Sequence, residues 1–487
     1  RNIQKVSSPM ILTGYNALNK LLGKNVYTSQ DQLGGPQIMV PNGVTHQVVR
    51  DDQEGMSAIL DWLSFVPKDI HSLPPMHGPA LCTDNWNREV EFTPTKQPYD
   101  PRDFLRGTIT TDGMRLRGFF DTGSFIEYLE GWGRTVVVGR ARLGGIPMGV
   151  IAVETRSVER FVPADPANSE SCEVVEPQAG QVWFPDSAFK TAQVLRDFNR
   201  AENLPVMIFA NWRGFSGGTR DMYGEILKFG AQIVDALVEY EHPIFIYIPP
   251  HGELRGGAWV VIDPQINPDK MEMYADVESR GGILEPPGVV EVKYRGHQQV
   301  EAMHRHDAKL AELDRQLAGA DGAQKEQLEQ AVKARERQLM PLYTSIAEHF
   351  ADLHDRASRM KAVGVVREIL EWRNARRFFY WRVKCRVHQD HLVRKVRETN
   401  PRLSHAEAVA AVHGWAEEAK VDPSSDEDMA KWLEVQSLEA KVRASRIPYV
   451  RAELEALLQE LPERDRCAAL KAAAAGARKG DAACSVM

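Results

Sequence analysis

The sequence is poor in cysteine and contains no long hydrophobic run. Its 487 residues include five cysteines, Cys82, Cys172, Cys385, Cys467 and Cys484, which are widely spread and show no paired spacing. Scattered cysteines in an odd number are typical of a reducing compartment and give no disulfide framework. No stretch of about 18 apolar residues is present to cross a membrane. We therefore expect a cytoplasmic protein without a membrane partner.

An excess of positive charge is also lacking. The formal net charge is −7 and the pI is near 6.1. Such a balance gives no global attraction to nucleic acid or to anionic lipid, so we expect no nucleic-acid partner, and any anionic ligand must meet a local cluster of arginines. The hydrophobic fraction of 43% and the length instead predict a globular protein of two to four domains.

The two ends of the sequence are unusual. The first residue is arginine and an apolar segment follows almost at once, so we expect an internal piece of a longer polypeptide. The last four residues, Cys484 to Met487, have the outline of a prenylation box. Serine is a poor aliphatic residue there, and only Arg478 and Lys479 precede the box as basic residues, so the sequence does not favour prenylation.

The pattern of apolar residues predicts two α/β domains followed by helices. Residues 1–95 read as the closing part of one α/β domain, and the proline-rich stretch 92–104 predicts a boundary. Residues 96–400 read as a second α/β domain, with strands at "RTVVVGRARLGG", "IPMGVIAVETR", "LPVMIFAN", "HPIFIYIPP" and "GAWVVID". Between the third and fourth strands, one helix face is predicted to be buried, formed by Met222, Ile226, Phe229, Ile233, Leu237 and Tyr240. Strand, helix and strand at this spacing predict a parallel βαβ unit.

The later part of the sequence is predicted to be helical. Residues 298–355 read as a hairpin of two long helices, broken at 319–323, with an apolar face of Met303, Leu310, Leu313, Leu317, Leu328, Val332, Leu339, Leu342 and Ile346. The basic and aromatic run 376–386 predicts an amphipathic helix that covers the core. Cys385, His388 and His391 have metal-ligand spacing but no fourth ligand, so we expect a surface helix there. Residues 401–487 read as a helical C-terminal extension.

A glycine-rich loop, "NWRGFSGGTRD", lies between the third strand and the helix. Gly214, Gly217 and Gly218 let the backbone turn sharply and approach a ligand. Arg213 and Arg220 add positive charge beside the helix N-terminus, so the loop is predicted to recognise an anion. A structurally important turn is the alternative.

The same loop also fits the nucleophile elbow G-x-S-x-G, with Ser216 as the nucleophile. A serine hydrolase remains an alternative on the residues alone. Against it, Trp212 and Arg213 separate the strand from the elbow, and the downstream histidines, such as His242 and His251, have no distinctive setting.

A second pair of glycines stands in "ELRGGAWVVID". Gly256, Gly257 and Ala258 carry little side-chain bulk, and two adjacent peptide N–H groups can point at one oxygen, as an oxyanion hole requires. A glycine bulge in a strand is the alternative.

Seven motifs occur in an order that resembles a known family. They are "QLGGPQIM", "GRARLGGIPMGVIAVETR", "PADPAN", "GQVWFPDSAFKTAQ", "NWRGFSGGTRDM", "ELRGGAWVVID" and "FADLHDRASRM". In these stretches the sequence resembles the carboxyltransferase part of eukaryotic multidomain acetyl-CoA carboxylase. The resemblance runs from Arg1 to about Val387, and beyond it only a loose helical character is similar.

The resemblance implies an α/β, crotonase-like fold: two related domains of ββα superhelix, the first truncated at its N-terminus, with a long helical hairpin and a helical C-terminal extension. It implies a head-to-tail homodimer and transfer of a carboxyl group from carboxybiotin to acetyl-CoA, giving malonyl-CoA for fatty acid synthesis. The biotin is carried on a separate carrier domain, and a biotin carboxylase domain of the same longer chain loads it. Carboxybiotin is expected to break down in place to CO₂ and a biotin anion that takes the methyl proton of acetyl-CoA, without a side-chain base. Because any transit peptide lies upstream, a plastid location stays open beside a cytoplasmic one.

The resemblance also implies residue roles. Gly257 and Ala258 match the family's second oxyanion hole, which faces biotin, and Arg213 matches the arginine proposed to hold the transferred carboxylate. We expect substrate contacts from Gly214, Gly217, Gly218, Arg220 and Gly256, and no metal. The family's first oxyanion hole, facing the thioester, is expected before Arg1, so this piece is expected to be incomplete as a catalyst.

Two other functions stay open at this stage. One is the serine hydrolase that uses Ser216. The other is a non-catalytic helical scaffold built on residues 298–355.

Overall fold

The structure, a computed structural model, describes residues 1–435 and 438–471. The chain divides into two compact units, Arg1–Tyr380 and a second unit that begins at Trp381. The domain boundaries predicted near residues 95 and 400 remain predictions. The segment Cys484 to Met487 lies outside the described residues.

A seven-stranded sheet forms the centre of the first unit. Its order is Glu368–Leu370, Met271–Asp276, Ile244–Ile248, Val206–Phe209, Ile146–Val153, Val136–Leu143 and Ile126–Glu127. The first five strands are parallel to one another, Val136–Leu143 is antiparallel to Ile146–Val153, and Ile126–Glu127 is antiparallel to Val136–Leu143. The central strands are buried along their whole length, as runs rich in valine and isoleucine require when both faces are covered.

Four of the predicted strands are confirmed in this sheet. Val136–Leu143 and Ile146–Val153 form an antiparallel hairpin, and Val206–Phe209 lies parallel to Ile244–Ile248, as the βαβ prediction requires. The strand Met271–Asp276 was not predicted, because it contains Glu272 and Asp276, and acidic residues are rarely found in a fully buried strand. Those carboxylates are satisfied inside the sheet layer, where Glu272 accepts a hydrogen bond from Tyr274.

The predicted crossover helix is two helices. Thr219–Tyr223 ends at Gly224, and Glu225, with φ of 69°, starts a new helix, Ile226–Val238. Ile226, Ile233, Leu237 and Tyr240 are buried as predicted. Met222 is not, since it precedes the break and is exposed, so its place on the buried face was wrong.

The predicted strand "GAWVVID" is wrong. A short strand, Glu253–Arg255, pairs with Arg280–Gly282, and Gly256 then turns the chain into the helix Gly256–Val261. Gly256 has φ of 52°, a conformation that favours glycine. A short apolar run cannot by itself distinguish a buried strand from a helix. Here Ala258 is buried and Val260 is exposed, as in one turn of helix.

The helical hairpin is confirmed. Helices Gly296–His306 and Ala308–Leu317 form one arm, and Ala323–Asp355 forms the other. Met303, Leu310, Val332 and Leu339 make a small buried cluster, against which Leu313 packs. Leu342 and Ile346 are exposed, so the predicted apolar face continues beyond the part of the hairpin that buries it.

The other elements of the first unit surround the sheet. A parallel pair, Ile3–Lys5 and Gln47–Val49, lies near the start. The short strand pairs are Thr108–Ile109 with Arg115–Leu116, Val158–Val162 with Val174–Gln178, and Val182–Trp183 with Gly214–Phe215. The remaining helices are Tyr15–Leu22, Asp31–Gly34, Pro36–Met39, Asp52–Leu63, Pro101–Arg106, Pro185–Arg200, Pro286–Lys293 and Ala357–Ala362, with 3₁₀ turns at Pro79–Leu81 and Pro264–Ile266.

The second unit is helical. The helix Trp372–Thr399 leads into it, and His405–Glu418, Asp426–Val435 and Glu439–Glu460 follow. Cys385 is buried, and burial raises the pKa of its thiol to about 12, so the predicted surface position was wrong. Among the residues that the structure describes, no cluster of three or more potential metal ligands occurs. Nor does any helix in that part of the chain have the length and apolar character to span a membrane.

Candidate functional site

The glycine-rich loop is held by hydrogen bonds at the carboxyl edge of the sheet. The buried Asn211 side chain accepts, through Oδ1, from Nε2 of Gln181 at 2.6 Å and from the backbone N–H of Glu253 at 2.9 Å. The Arg213 N–H donates to the Gln181 carbonyl at 2.8 Å, and the Ser216 N–H donates to the Trp183 carbonyl at 2.8 Å. The parallel arrangement of the βαβ strands brings these segments to one edge.

The three loop glycines leave open space. Gly214 has φ of 146°, which favours glycine. A Cβ atom at Gly214, Gly217 or Gly218 would meet no atom of the described residues within 4 Å. The glycines therefore do not serve close packing against the described part of the chain, and they leave room for a ligand or a partner at the loop.

Arg213 is a half-exposed cation with weak protein partners. Its Nε lies 3.6 Å from Glu285 and its Nη2 lies 3.9 Å from Glu253, beyond hydrogen-bond distance. It lines a cavity of about 640 Å³ whose lining also includes His251 and the charged residues Lys96, Glu253, Glu278, Arg280, Asp352 and Arg356. Arg213 can therefore turn to an anion without breaking a buried ion pair.

Arg220 is engaged more closely. Its guanidinium lies 3.2 Å from Glu176 and 3.1 Å from Asp221, and these carboxylates raise its pKa, chiefly through the hydrogen bond to Asp221. A substrate contact from Arg220 would compete with these two carboxylates, so its predicted role is weaker than that of Arg213.

Ser216 lacks the partner that a catalytic serine needs. Its hydroxyl donates to the Asp221 carboxylate five residues later. The acceptor of this hydroxyl is thus a carboxylate and not an imidazole. A carboxylate acceptor without an intervening imidazole is not the arrangement of a nucleophile elbow.

The Gly256–Ala258 segment has free backbone donors. The N–H of Arg255 donates to the Trp212 carbonyl at 2.9 Å, which ties this strand to the glycine-rich loop. Beyond it, the N–H groups of Gly257 and Ala258 stand in the first turn of the helix and donate to no atom of the described residues, whereas the parallel pairing of Arg255 with Gly282 engages the Gly256 N–H in the strand ladder. Ala258 is buried and Gly257 is exposed.

An aromatic column joins the two glycine segments. Trp183 stacks on Trp212, with ring centroids 3.9 Å apart, and on Phe215, with centroids 4.9 Å apart. A Cβ atom at Gly257 would lie 3.4 Å from the Phe215 ring. Gly257 therefore lies against the loop that carries Arg213. The lining of the 640 Å³ cavity, however, includes Arg213 and not Gly256, Gly257 or Ala258.

Sequence reasoning missed the residues that hold the site together. Asn211 stood in the recognised motif, but nothing in the sequence indicated that its side chain joins Gln181 to Glu253. The buried pair of Arg255 and Asp355 joins residues 100 positions apart and was also missed. An arginine next to two glycines at a strand end was the only available signal.

The chain is similar to carboxylases along most of its length. The carboxyl transferase domain family matches residues 2–387. An acetyl-CoA carboxylase of Saccharomyces cerevisiae is 49% identical over 472 residues, covering 96% of this chain and 21% of the relative. Acetyl-CoA carboxylases of Cryptosporiopsis sp. and Schizosaccharomyces pombe are each 51% identical, covering 89% of this chain and 19% of each relative. The chain thus spans about a fifth of the length of these relatives, and the similarity continues past Val387 into the helical extension.

Solved structures show the same fold. The transcarboxylase 12S, with methylmalonyl-coenzyme A and methylmalonic acid bound, matches with a TM-score of 0.53 and 17% identity, covering 77% of this chain and 59% of the other. A second structure of that enzyme, with hydrolysed methylmalonyl-coenzyme A, gives the same values. The crotonase-like α/β fold predicted for this chain is thereby confirmed.

Proposed function

This chain belongs to the carboxyl transferase domain family, and from that premise we propose that it is the carboxyltransferase portion of an acetyl-CoA carboxylase. The proposed reaction moves a carboxyl group from carboxybiotin to acetyl-CoA and forms malonyl-CoA. Relatives about 50% identical that carry the name acetyl-CoA carboxylase support this proposal. Because the relatives are about five times longer, the biotin carboxylase and biotin carrier domains are proposed as parts of the same longer polypeptide.

The observation that carries the proposal is that the Gly257 and Ala258 N–H groups, beside the Arg213 loop, donate to no acceptor among the described residues. Two free donors suit an oxygen that gains negative charge, and the biotin ureido group supplies such an oxygen when it is bound. Arg213 supplies positive charge for the carboxylate in transfer, and its weak pairing with Glu253 and Glu285 leaves it available. Gly214, Gly217 and Gly218 leave the space in which the reactants are held close together, and Gly256 allows the turn that leads to the two donors.

A homodimer is part of the proposal. Large apolar side chains flank the glycine-rich loop on its exposed side, where Tyr223 is 91% exposed and Leu227 is 70% exposed. Exposed apolar surface beside a functional loop is typical of a surface that a partner covers. We propose that a second copy covers it, head to tail, so that the site lies between the first domain of one copy and the second domain of the other. The scattered free cysteines suit a cytoplasmic location, or a plastid one.

The test uses the chain joined to its natural upstream region. Malonyl-CoA and free biotin are supplied, and the formation of acetyl-CoA is measured. We expect Arg213→Ala to lower the rate by about 10²-fold or more, because it removes the charge that holds the carboxylate. Its thermal unfolding is expected to stay close to that of the parent protein, since the side chain is half exposed and weakly paired.

The matched control is Arg200→Ala. Arg200 is an exposed arginine at the end of the helix Pro185–Arg200 and is paired with Glu239. Its replacement by alanine is expected to leave the rate unchanged. Normal turnover in Arg213→Ala would refute the role of this arginine. Absence of acetyl-CoA formation by the parent protein would refute the proposed function.

A further inference from the structure

Arg255 is a buried arginine directly before the two glycines of the site. It is 3% exposed, although it ends a strand whose next residues reach the surface. Its guanidinium donates to the Leu284 carbonyl at 3.1 Å, to Glu253 at 3.1 Å and to Asp355. Its backbone N–H donates to the Trp212 carbonyl. Four separate contacts therefore fix this one residue.

The carboxylate partner comes from a distant element. Asp355 is the last residue of the 33-residue helix Ala323–Asp355, and it is 7% exposed. Gly282, the strand partner of Arg255, makes room for the pair. A Cβ atom there would lie 2.9 Å from an Asp355 carboxylate oxygen and 3.2 Å from Arg255 Nη1. The three residues form a closely packed junction between the hairpin helix and the strand.

Net stabilisation of the fold does not by itself explain why Arg255 and Asp355 form a buried ion pair. Taking two charges out of water costs several kcal/mol per ion, and an apolar pair of similar volume is often as stable. An ion pair with additional hydrogen bonds fixes the orientation of the arginine, because the planar guanidinium accepts few orientations relative to its carboxylate. At Arg255, a fixed side chain also restricts the orientation of the peptide groups that follow in the backbone.

We propose that Arg255 and Asp355 are positioning residues for the Gly257 and Ala258 N–H groups. They fix the backbone at residue 255, and the turn at Gly256 then sets where the following two donors point. This inference rests on the proposed function, in which those donors stabilise developing charge. Donors of this kind must be held within fractions of an ångström, and an error of about 1 Å can cost 10²-fold in rate.

The test compares three variants in the full-length protein. Asp355→Asn keeps the shape and removes the charge. The double variant Arg255→Met with Asp355→Leu replaces the ion pair by an apolar pair and avoids an unpaired buried charge. Arg335→Gln is the control, because it removes the ion pair between Arg335 and Asp307. Arg335 lies on the same helix as Asp355, 20 residues before it, or roughly 30 Å along the helix axis.

We expect Asp355→Asn and the double variant each to lower kcat by about tenfold or more, with little change in KM for free biotin, because only the donors that act in the transition state are displaced. Thermal unfolding of the double variant should stay near that of the parent, and Arg335→Gln should keep the parent kcat. Deuterium uptake over residues 253–261 should rise in Asp355→Asn and not in Arg335→Gln.

Two results would overturn the inference. One is a double variant that folds and retains the parent kcat. The other, which also decides the case if the double variant does not fold, is an Asp355→Asn protein with parent kcat and parent deuterium uptake over residues 253–261. If the parent protein itself forms no acetyl-CoA, the proposed function fails. Deuterium uptake would still show whether the pair fixes the segment.

Discussion

Gly257 contributes a backbone N–H to the proposed site, and the absence of a side chain leaves that N–H accessible. A single methyl group would contact the Phe215 ring at an ordinary 3.4 Å, so Gly257→Ala should fold normally. We expect Gly257→Val to lower the rate of biotin carboxylation from malonyl-CoA by about 10²-fold, because the branched side chain covers the donors. Gly319→Val is the control, because it lies in the hairpin turn, where a Cβ atom would meet none of the described atoms within 4 Å. Equal rates for the two valine variants would contradict the oxyanion role.

Ser216 is expected to be dispensable for catalysis. Its hydroxyl is a donor to Asp221, and Asp221 also binds Arg220, so the carboxylate keeps a partner when the hydroxyl is removed. Ser216→Ala should retain activity within about threefold, because the proposed reaction gives the hydroxyl no role, and losing its hydrogen bond to a carboxylate should lower the free energy of unfolding by about 1.5–3 kcal/mol. A fluorophosphonate probe should not label the parent protein at this residue. Labelling that disappears in Ser216→Ala would instead favour a serine hydrolase.

Asp197 makes the free energy of unfolding of the protein depend on pH. Burial, with a smaller contribution from Glu202, raises the pKa of its carboxyl to about 6. The folded state therefore holds this proton more tightly than the unfolded state between about pH 4 and 6, so the free energy of unfolding falls as the pH rises through that interval. We expect Asp197→Asn to be more stable than the parent at pH 7.5, by up to about 3 kcal/mol, and not at pH 4. Thermal unfolding at the two pH values measures this, and equal differences at both would contradict it.

At the scale of elements, a histidine joins the helices of the hairpin. Nδ1 of His304 lies 2.6 Å from Asp314 and Nε2 lies 2.9 Å from Glu336, so three helices meet at one imidazole. Both carboxylates raise its pKa, Asp314 first. The stabilisation is complete below the ordinary histidine pKa near 6.5 and is lost as the pH rises through the raised value, because the neutral ring has one donor for two acceptors.

We therefore expect the hairpin of the parent protein to open more readily above that pH than below it. The measurement is deuterium exchange over residues 296–355, corrected for the intrinsic rate, from pH 6 to pH 9. In His304→Gln, which cannot carry a charge, the extra opening at high pH should be absent. An identical pH dependence in the variant would contradict this role of His304.

At the scale of the whole molecule, the proposed homodimer makes a prediction about mass. Sedimentation of the protein is expected to give twice the 54.7 kDa of one chain. Leu227→Glu places a charge in the exposed apolar surface beside the glycine-rich loop and should shift the protein toward monomers. If the site needs two copies, this variant also loses activity at concentrations at which it is monomeric. A dimer that persists in the variant would place the interface elsewhere.

Much of the fold could be predicted, but the site could be predicted only in part. The strands Val136–Leu143, Ile146–Val153, Val206–Phe209 and Ile244–Ile248 are continuous apolar runs, and burial on both faces gives such runs a clear pattern. The strand Met271–Asp276 was not predicted, because its carboxylates find partners inside the fold that the sequence does not reveal. The "GAWVVID" segment was predicted as a strand although it forms a helix, because a short apolar run fits either structure equally well.

The sequence by itself determined the family, the parallel βαβ unit and the two glycine segments, since these depend on motifs and on local spacing. The tertiary structure decided the rest. It showed that Asn211 joins the two segments and that Asp355 reaches Arg255 across 100 residues of chain. It also showed that the Gly257 and Ala258 N–H groups have no acceptor in the part of the chain that the structure describes. Contacts between residues far apart in the chain, and the satisfaction of each backbone donor, depend on how the elements pack, and no local pattern records that packing.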